Sequence, residues 1–193
     1  MLACQVNPEL GFQGAFRELY ELYKDRVYNV CYRITGNAND ALDASQETFG
    51  ILFRKIQDFR FQSKFSSWVY RIAVNASIDL KRRSASRTAP ASLEALTGDR
   101  DDVGRLDPMH DGGEHPPTLV SRRELEEEVQ RAITRLSPKM RAITVLRYTE
   151  SLSYEEIAEA LGISLGTVKS RLSRAHAALD RELTPVLDRH LLQ

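Results

Sequence analysis

The segment SYEEIAEALGISLGTVKSRLSRAHAA at residues 153–178 constrains the chain most, because its punctuation reads as two short helices joined by a tight turn. Ser153 with Glu156 three residues on makes a capping box, and Ile157, Ala158 and Leu161 form the apolar stripe behind it. Gly162 supplies the turn and Ser164 can cap the second helix. In that helix Val168, Leu172, Ala175 and Leu179 recur at helical spacing and turn inward. Thr167, Lys169, Ser170, Arg171, Ser173 and Arg174 are left on the outer surfaces, and no Asp or Glu occurs from Leu165 to Ala178. Hydroxyls and cations on one helix suit phosphates and base edges, so the segment reads as a helix-turn-helix that enters DNA.

The chain as a whole does not share this basic character. Its 193 residues carry 27 Lys+Arg against 27 Asp+Glu, a formal net charge of zero. The charge is segregated: residues 12–83 hold 12 basic and 8 acidic side chains, 84–121 hold 3 and 7, and 122–193 hold 12 and 11. Counterion release depends on clustered cations, so this balance predicts weak nonspecific DNA affinity for the whole chain. Two cysteines, Cys4 and Cys31, exclude a disulfide framework and point to a reducing compartment. The four histidines are scattered without metal-ligand spacing, so no metal and no cofactor is expected. No apolar run approaches the roughly 18–20 residues of a membrane span, and the start lacks a signal-peptide pattern. The expected location is the cytoplasm, with no membrane contact.

Helical periodicity runs along most of the sequence, and strand-like alternation is missing. Leu19, Tyr20, Tyr23, Val27, Val30, Cys31 and Ile34 step along one face until Gly36 and Asn37 end the run. A second helix, capped by Asn39 or Asp40, carries Leu42, Ser45, Phe49, Leu52, Phe53 and Ile56 inward and turns Asp43, Gln46 and Glu47 elsewhere. A third begins near Phe65, turns Trp68, Val69, Ile72, Ala73, Ala76 and Leu80 inward, and ends in Lys81, Arg82 and Arg83. Residues 84–121 lose all periodicity and are rich in Gly, Pro, Ser and Asp, which predicts a flexible acidic linker. Around Ser121 the helical pattern resumes through Leu125, Val129, Ile133 and Leu136, and Ser137-Pro138 caps a further helix carrying Met140, Ile143 and Leu146. The predicted fold class is all-α: a three-helix domain over 12–83, the linker over 84–121, and a four-helix domain over 122–185 that ends in the helix-turn-helix.

Together these parts resemble a bacterial sigma factor of the extracytoplasmic-function group. DASQETFGILFRKI at 43–56 looks like that family's polymerase-binding helix, and FSSWVYRIAVNASIDLKRR at 65–83 like its promoter-opening helix. LSPKMRAITVLRYTESLSYEEIAEALGISLGTVKSRLSRA resembles its upstream-promoter reader. The resemblance implies a protein that binds core RNA polymerase, delivers it to particular promoters and helps separate the strands there, without covalent chemistry of its own. It implies that Asp43, Gln46, Glu47 and Arg54 meet the clamp of the largest polymerase subunit; by residue type alone that face is an ordinary solvated helix surface. It places Phe59, Arg60, Lys64, Trp68, Arg71 and Asn75 at the element about ten bases upstream of the start, Phe59 and Asn75 shaping a base pocket, while Lys81, Arg82 and Arg83 either grip phosphates or merely complement the helix C-terminus. On helical spacing alone Trp68 belongs to the core as readily as to a stacking site. Arg147 and the outer face of 167–174 would read the element about thirty-five bases upstream. Phe61 departs from the family pattern, which commonly has a small residue there, as does Ser173, where an aromatic or larger residue is frequent.

Two other classes compete with this reading. A helix-turn-helix repressor or activator with an N-terminal regulatory bundle would use the same C-terminal half, but gives no account of the aromatics and cations clustered near Phe59 to Arg71. An all-helical hydrolase or transferase needs convergent acids, nucleophiles or metal ligands, which the sequence lacks. The sequence leaves open the target promoters, the activating signal and whether an anti-sigma factor is a partner.

Overall fold

In a computed structural model of the chain the described residues are 11–88 and 119–191, and no strand occurs among them. The N-terminal half is α1 (Gly11–Thr35), α2 (Ala38–Lys55) and α3 (Phe65–Thr88), with a 3-10 turn at Ile56–Asp58. The C-terminal half is α4 (Leu119–Arg135), α5 (Pro138–Tyr148), α6 (Tyr154–Leu161) and α7 (Leu165–Leu191). Most of the expected linker, 89–118, lies outside the described residues. At its edges α3 continues to Thr88 and α4 begins at Leu119, so both helices run further than their apolar periodicity suggests.

The helix termini follow from local chemistry. Gly36 closes α1 at φ +72°, a left-handed conformation natural to glycine. The cap of α2 is then Asn37, not Asn39 or Asp40: its extended backbone turns Oδ1 to accept from the amides of Asn39 at 2.8 Å and Asp40 at 3.1 Å. Ser137 caps α5 ahead of Pro138, whose missing N–H costs nothing at a first helical position. Ser153 and Glu156 make both bonds of the predicted capping box, at 3.1 and 2.7 Å. Gly162 ends α6 at φ +65°, and Ser164 Oγ accepts from Thr167 N at 3.1 Å to start α7.

One predicted stripe is corrected. Leu42 and Phe53 are exposed, whereas the buried face of α2 is Ala41, Ala44, Ser45, Thr48, Phe49 and Leu52. At about 100° per residue Leu42 and Phe53 fall to the flanks of that narrower stripe. The Phe53 ring still finds a partner, meeting Phe16 edge-on at 5.1 Å.

The core joins both halves. Val27, Val30, Cys31 and Ile34 of α1, Leu52 of α2, and Val69 and Ala73 of α3 belong to one apolar cluster with Ile143 and Leu146 of α5, Ile157 of α6, and Val168 and Leu172 of α7. Burial of apolar area in one cluster stabilises their association as well as each half.

Candidate nucleic-acid and polymerase interface

Each element carrying an expected site residue buries one side and presents the other. On α2, Asp43, Gln46, Glu47 and Arg54 are exposed along the ridge opposite Ala44, Thr48 and Leu52. The Glu47 carboxylate lies 4.0 Å from Arg83 on α3, so the acidic ridge borders the cationic end of that helix. Arg82 pairs within α3 with Asp79 at 3.2 Å. Lys81 is half-buried, and burial, then the nearby Arg141 charge, lowers its pKa.

The aromatic cluster sits at the turn into α3. Phe59 is buried at 7% exposure, touching Phe61, Phe65 and Trp68 with ring centroids 5.1, 5.3 and 5.1 Å away. Phe61 is the exposed member at 51%, and its φ of +56° lies in the left-handed region, rare for a bulky residue. Trp68 is half-buried, and Arg60, Lys64, Arg71 and Asn75 are exposed around the cluster. Phe59, the expected pocket residue, is thus a floor under the cluster, and Phe61, noted in the sequence only as a departure from the family pattern, is its open face. Pattern analysis could not separate them, because the loop has no period.

Several of these side chains are engaged by the C-terminal half. Lys64 Nζ donates to Glu156 Oε1 at 2.6 Å, and Arg71 Nε donates to the Ala160 carbonyl at 3.0 Å. Tyr70, buried between them, donates its phenol to Glu150. Burial, then the Glu150 carboxylate, pushes that phenol well above its ordinary pKa.

On α7, Val168, Leu172 and Ala175 are buried, and Lys169, Ser170, Ser173 and Arg174 are exposed, while Thr167 and Arg171 are half-buried at the flanks. The Ser170 hydroxyl donates to the Thr167 carbonyl at 3.2 Å and Arg174 Nε to the Ser170 carbonyl at 3.4 Å, so both lie along their own helix. Arg147 sits differently: its guanidinium donates to the Leu152 carbonyl at 2.8 Å and lies over the Tyr154 ring at 5.3 Å. It therefore braces the turn between α5 and α6.

Sequence patterning missed Arg141. A charged residue in the stripe between Met140 and Ile143 reads as a surface position, yet Arg141 is 5% exposed. Its guanidinium donates to the carbonyls of Ile133 at 3.1 Å, Leu136 at 2.9 Å and Thr134, ending α4, and to Ile34 of α1 at 2.5 Å. Burial lowers its pKa to about 10, which leaves it charged at neutral pH. Cys31 is buried, which raises its thiol to about 11 and makes it a poor nucleophile; Cys4 lies outside the described residues. Among the described residues no group of His, Cys, Asp and Glu could hold a metal, and no helix is long and apolar enough to cross a membrane.

Comparison with known proteins accounts for both halves. Sigma-70 region 2 matches residues 19–87, and Sigma-70 region 4 matches residues 126–179. The ECF RNA polymerase sigma factor SigW of Bacillus subtilis is 36% identical over 173 residues, 90% of this chain and 91% of that protein. The chain belongs to the ECF RNA polymerase sigma factors. Two solved structures share its fold at 22% identity. One is the sigma factor RpoE with the anti-sigma factor NepR from Bartonella quintana, with a TM-score of 0.63 over 88% of this chain and 97% of that one. The other is CnrH with the cytosolic domain of CnrY, with a TM-score of 0.65 over 95% and 94%. As a sigma factor the protein binds core RNA polymerase and promoter DNA and acts in promoter-specific initiation of transcription. The repressor or activator alternative is not favoured, because region 2 occupies the half that it assigns to a regulatory bundle.

Proposed function

We propose that this sigma factor divides its work among three surfaces. The α2 ridge of Asp43, Gln46, Glu47 and Arg54 docks on the clamp of the largest polymerase subunit. Arg60, Lys64, Trp68, Arg71 and Asn75, with Lys81, Arg82 and Arg83 on the phosphates, engage and open the downstream element. The outer face of α7, with Thr167, Lys169, Ser170, Arg171, Ser173 and Arg174, reads the upstream element, and Arg147 supports it by fixing the turn between α5 and α6. The observation that carries this reading is that the α2 ridge and Lys169, Ser170, Ser173 and Arg174 of α7 stay exposed while the opposite side of each helix is buried.

For strand opening, Phe61 is the ring best able to stack on a displaced base, and Phe59 supports it from below. Stacking on an exposed aromatic is worth about 1–3 kcal/mol per base, a substantial offset to unpairing without ATP. The protein itself performs no covalent chemistry, needs no cofactor or metal, and works in the cytoplasm where the polymerase is. An anti-sigma partner is consistent with one of the related folds, captured with the anti-sigma factor NepR.

The test is reconstitution. The purified chain mixed with core polymerase should copurify with it and initiate from a defined set of promoters recovered by sequencing run-off transcripts. Charge reversal on the ridge, Asp43→Lys with Glu47→Lys, should abolish copurification while leaving the fold intact. Retention of both properties by that variant would overturn the assignment of the ridge.

A further inference from the structure

Beside the recognition helix stands a pair of side chains that none of the three working surfaces uses. Tyr148, in the last turn of α5, is 60% exposed, and its hydroxyl lies 2.5 Å from Nε2 of His176 on α7. The two rings pack with centroids 5.7 Å apart, tilted by 51°. Each ring holds the other in place, which lowers the ordering entropy lost when a ligand is bound. Neither group makes a second side-chain hydrogen bond among the described residues.

The protons of this pair favour one kind of ligand. A neutral imidazole has one N–H and a phenol one O–H, and one of these two is spent between Oη and Nε2. If the hydroxyl donates to Nε2, the Nδ1–H is left over; if Nε2 donates to the hydroxyl, the Oη–H is left over. An imidazolium leaves both. Every protonation state therefore offers at least one donor, held in place, to an oxygen that can only accept.

The position of the pair says which oxygen that is. Lys169, Ser173 and His176 recur at i, i+4 and i+7, one row along α7, with His176 about 20° around from Lys169 and about 10 Å further along the helix. That row flanks the buried stripe of Val168, Leu172 and Ala175. A recognition helix offers its N-terminal residues to base edges. In a major groove about 12 Å wide, a side chain about 10 Å beyond them stands at the rim, beside the phosphates. Tyr148 reaches the same rim from α5. No acid occurs from Leu165 to Ala178, and Asp180, one turn beyond His176, ends the stretch open to an anion. Glu150, two residues after Tyr148, is turned to Tyr70 of α3.

We propose that Tyr148 and His176 clamp one backbone phosphate at the edge of the upstream element, a contact that fixes α7 in register without reading a base. The proposal rests on the assignment of the α7 outer face to that element. A phosphate carries no sequence information, so the clamp adds affinity to every promoter alike.

The test uses the full chain bound to core polymerase, on a promoter that this holoenzyme transcribes. Tyr148→Phe combined with His176→Phe keeps both rings and removes the donors. Binding should weaken about tenfold, the size of one hydrogen bond to a charged group, and equally on a panel of single-base upstream changes. Duplexes with a single uncharged methylphosphonate, scanned across the upstream element and its flanks on both strands, locate the contact. One position should weaken the wild type and leave the double variant unaffected. A double variant that binds as wild type overturns the clamp. So does one that binds more weakly yet responds to every methylphosphonate as the wild type does, since the pair is then only a brace between α5 and α7; that readout holds even for a variant of lower stability. Arg174→Ala and Lys169→Ala in the same assays separate the two readings. An effect in either of these with a wild-type scan in the double variant sinks the clamp alone, whereas no effect in both removes α7 from the upstream element and the clamp with it.

Discussion

The Arg141 guanidinium donates through Nη1 to the carbonyl of Ile34 at 2.5 Å, so a residue of the region 4 half closes the end of a helix in the region 2 half. The same side chain satisfies three carbonyls at the end of α4. Four backbone acceptors and one buried charge therefore depend on each other.

Arg141→Ala should cost about 1–3 kcal/mol, the range for leaving buried acceptors without donors. Arg141→Lys should recover only part, since an ammonium has three donors and no planar fork. Chemical denaturation of the three proteins measures this directly. A loss below about 1 kcal/mol for the alanine variant would show that water replaces the guanidinium without penalty.

The Lys64–Glu156 pair has a defined pH signature. The Lys64 ammonium, followed by the Ser153 amide, holds the Glu156 carboxyl below its ordinary 4.5. Its contribution is complete above 4.5 and disappears as pH falls through the lowered value. Glu156 in turn raises Lys64 above 10.5, so the contribution on that side is complete below 10.5 and is lost as pH rises through the raised value. Glu156→Gln keeps the capping geometry and removes the charge. Its melting temperature should lie slightly below wild type at neutral pH and converge with it in strong acid. Parallel curves down to pH 2 would show that the pair is not formed in solution.

Phe59 and Phe61 should separate stability from strand opening. Phe59→Ala removes a buried ring and should cost about 3–5 kcal/mol. Phe61→Gly removes an exposed ring and relieves a left-handed backbone worth about 1–2 kcal/mol, so its stability should hold or rise. Permanganate reactivity of unpaired thymines should nevertheless fall in Phe61→Gly and in Asn75→Ala, with polymerase binding unchanged. Wild-type reactivity in both would remove them from the opening site.

Lys169, Arg171 and Arg174 cannot share one base pair, because at about 100° per residue they fan across roughly 200° of the α7 surface. Losing a base contact should cost about 1–3 kcal/mol and relax preference at one promoter position. Losing a phosphate contact should weaken all promoters alike and reduce the salt slope by about one unit. Arg171→Ala and Arg174→Ala are expected to show the first behaviour and Lys169→Ala the second, on a panel of single-base promoter changes at two salt concentrations. Unchanged preference and salt dependence in all three would exclude α7 as the reader.

Local chemistry made much of this protein legible without coordinates. The capping box of Ser153 and Glu156, the Gly162 turn, the Ser137-Pro138 start and the buried stripe of α7 depend on residues within a few positions of one another, where spacing and backbone preference decide the outcome. The two sigma regions were legible through the resemblance of the segments at 43–56, 65–83 and 136–175 to the family. The cap of α2 escaped because Asn37, Asn39 and Asp40 are all capable, and only the backbone angle after Gly36 selects among them. What the tertiary structure alone decided lies between segments far apart in the chain. Arg141 is polar by type and buried by position, because the carbonyl ends of α1 and α4 converge on it. Phe59 and Phe61, two residues apart in a loop without period, divide into floor and open face through φ at Phe61 and the rings beneath it. The closure of the two halves over one core depends on contacts such as Lys64 with Glu156 and Ile34 with Arg141, whose pairing no local pattern encodes.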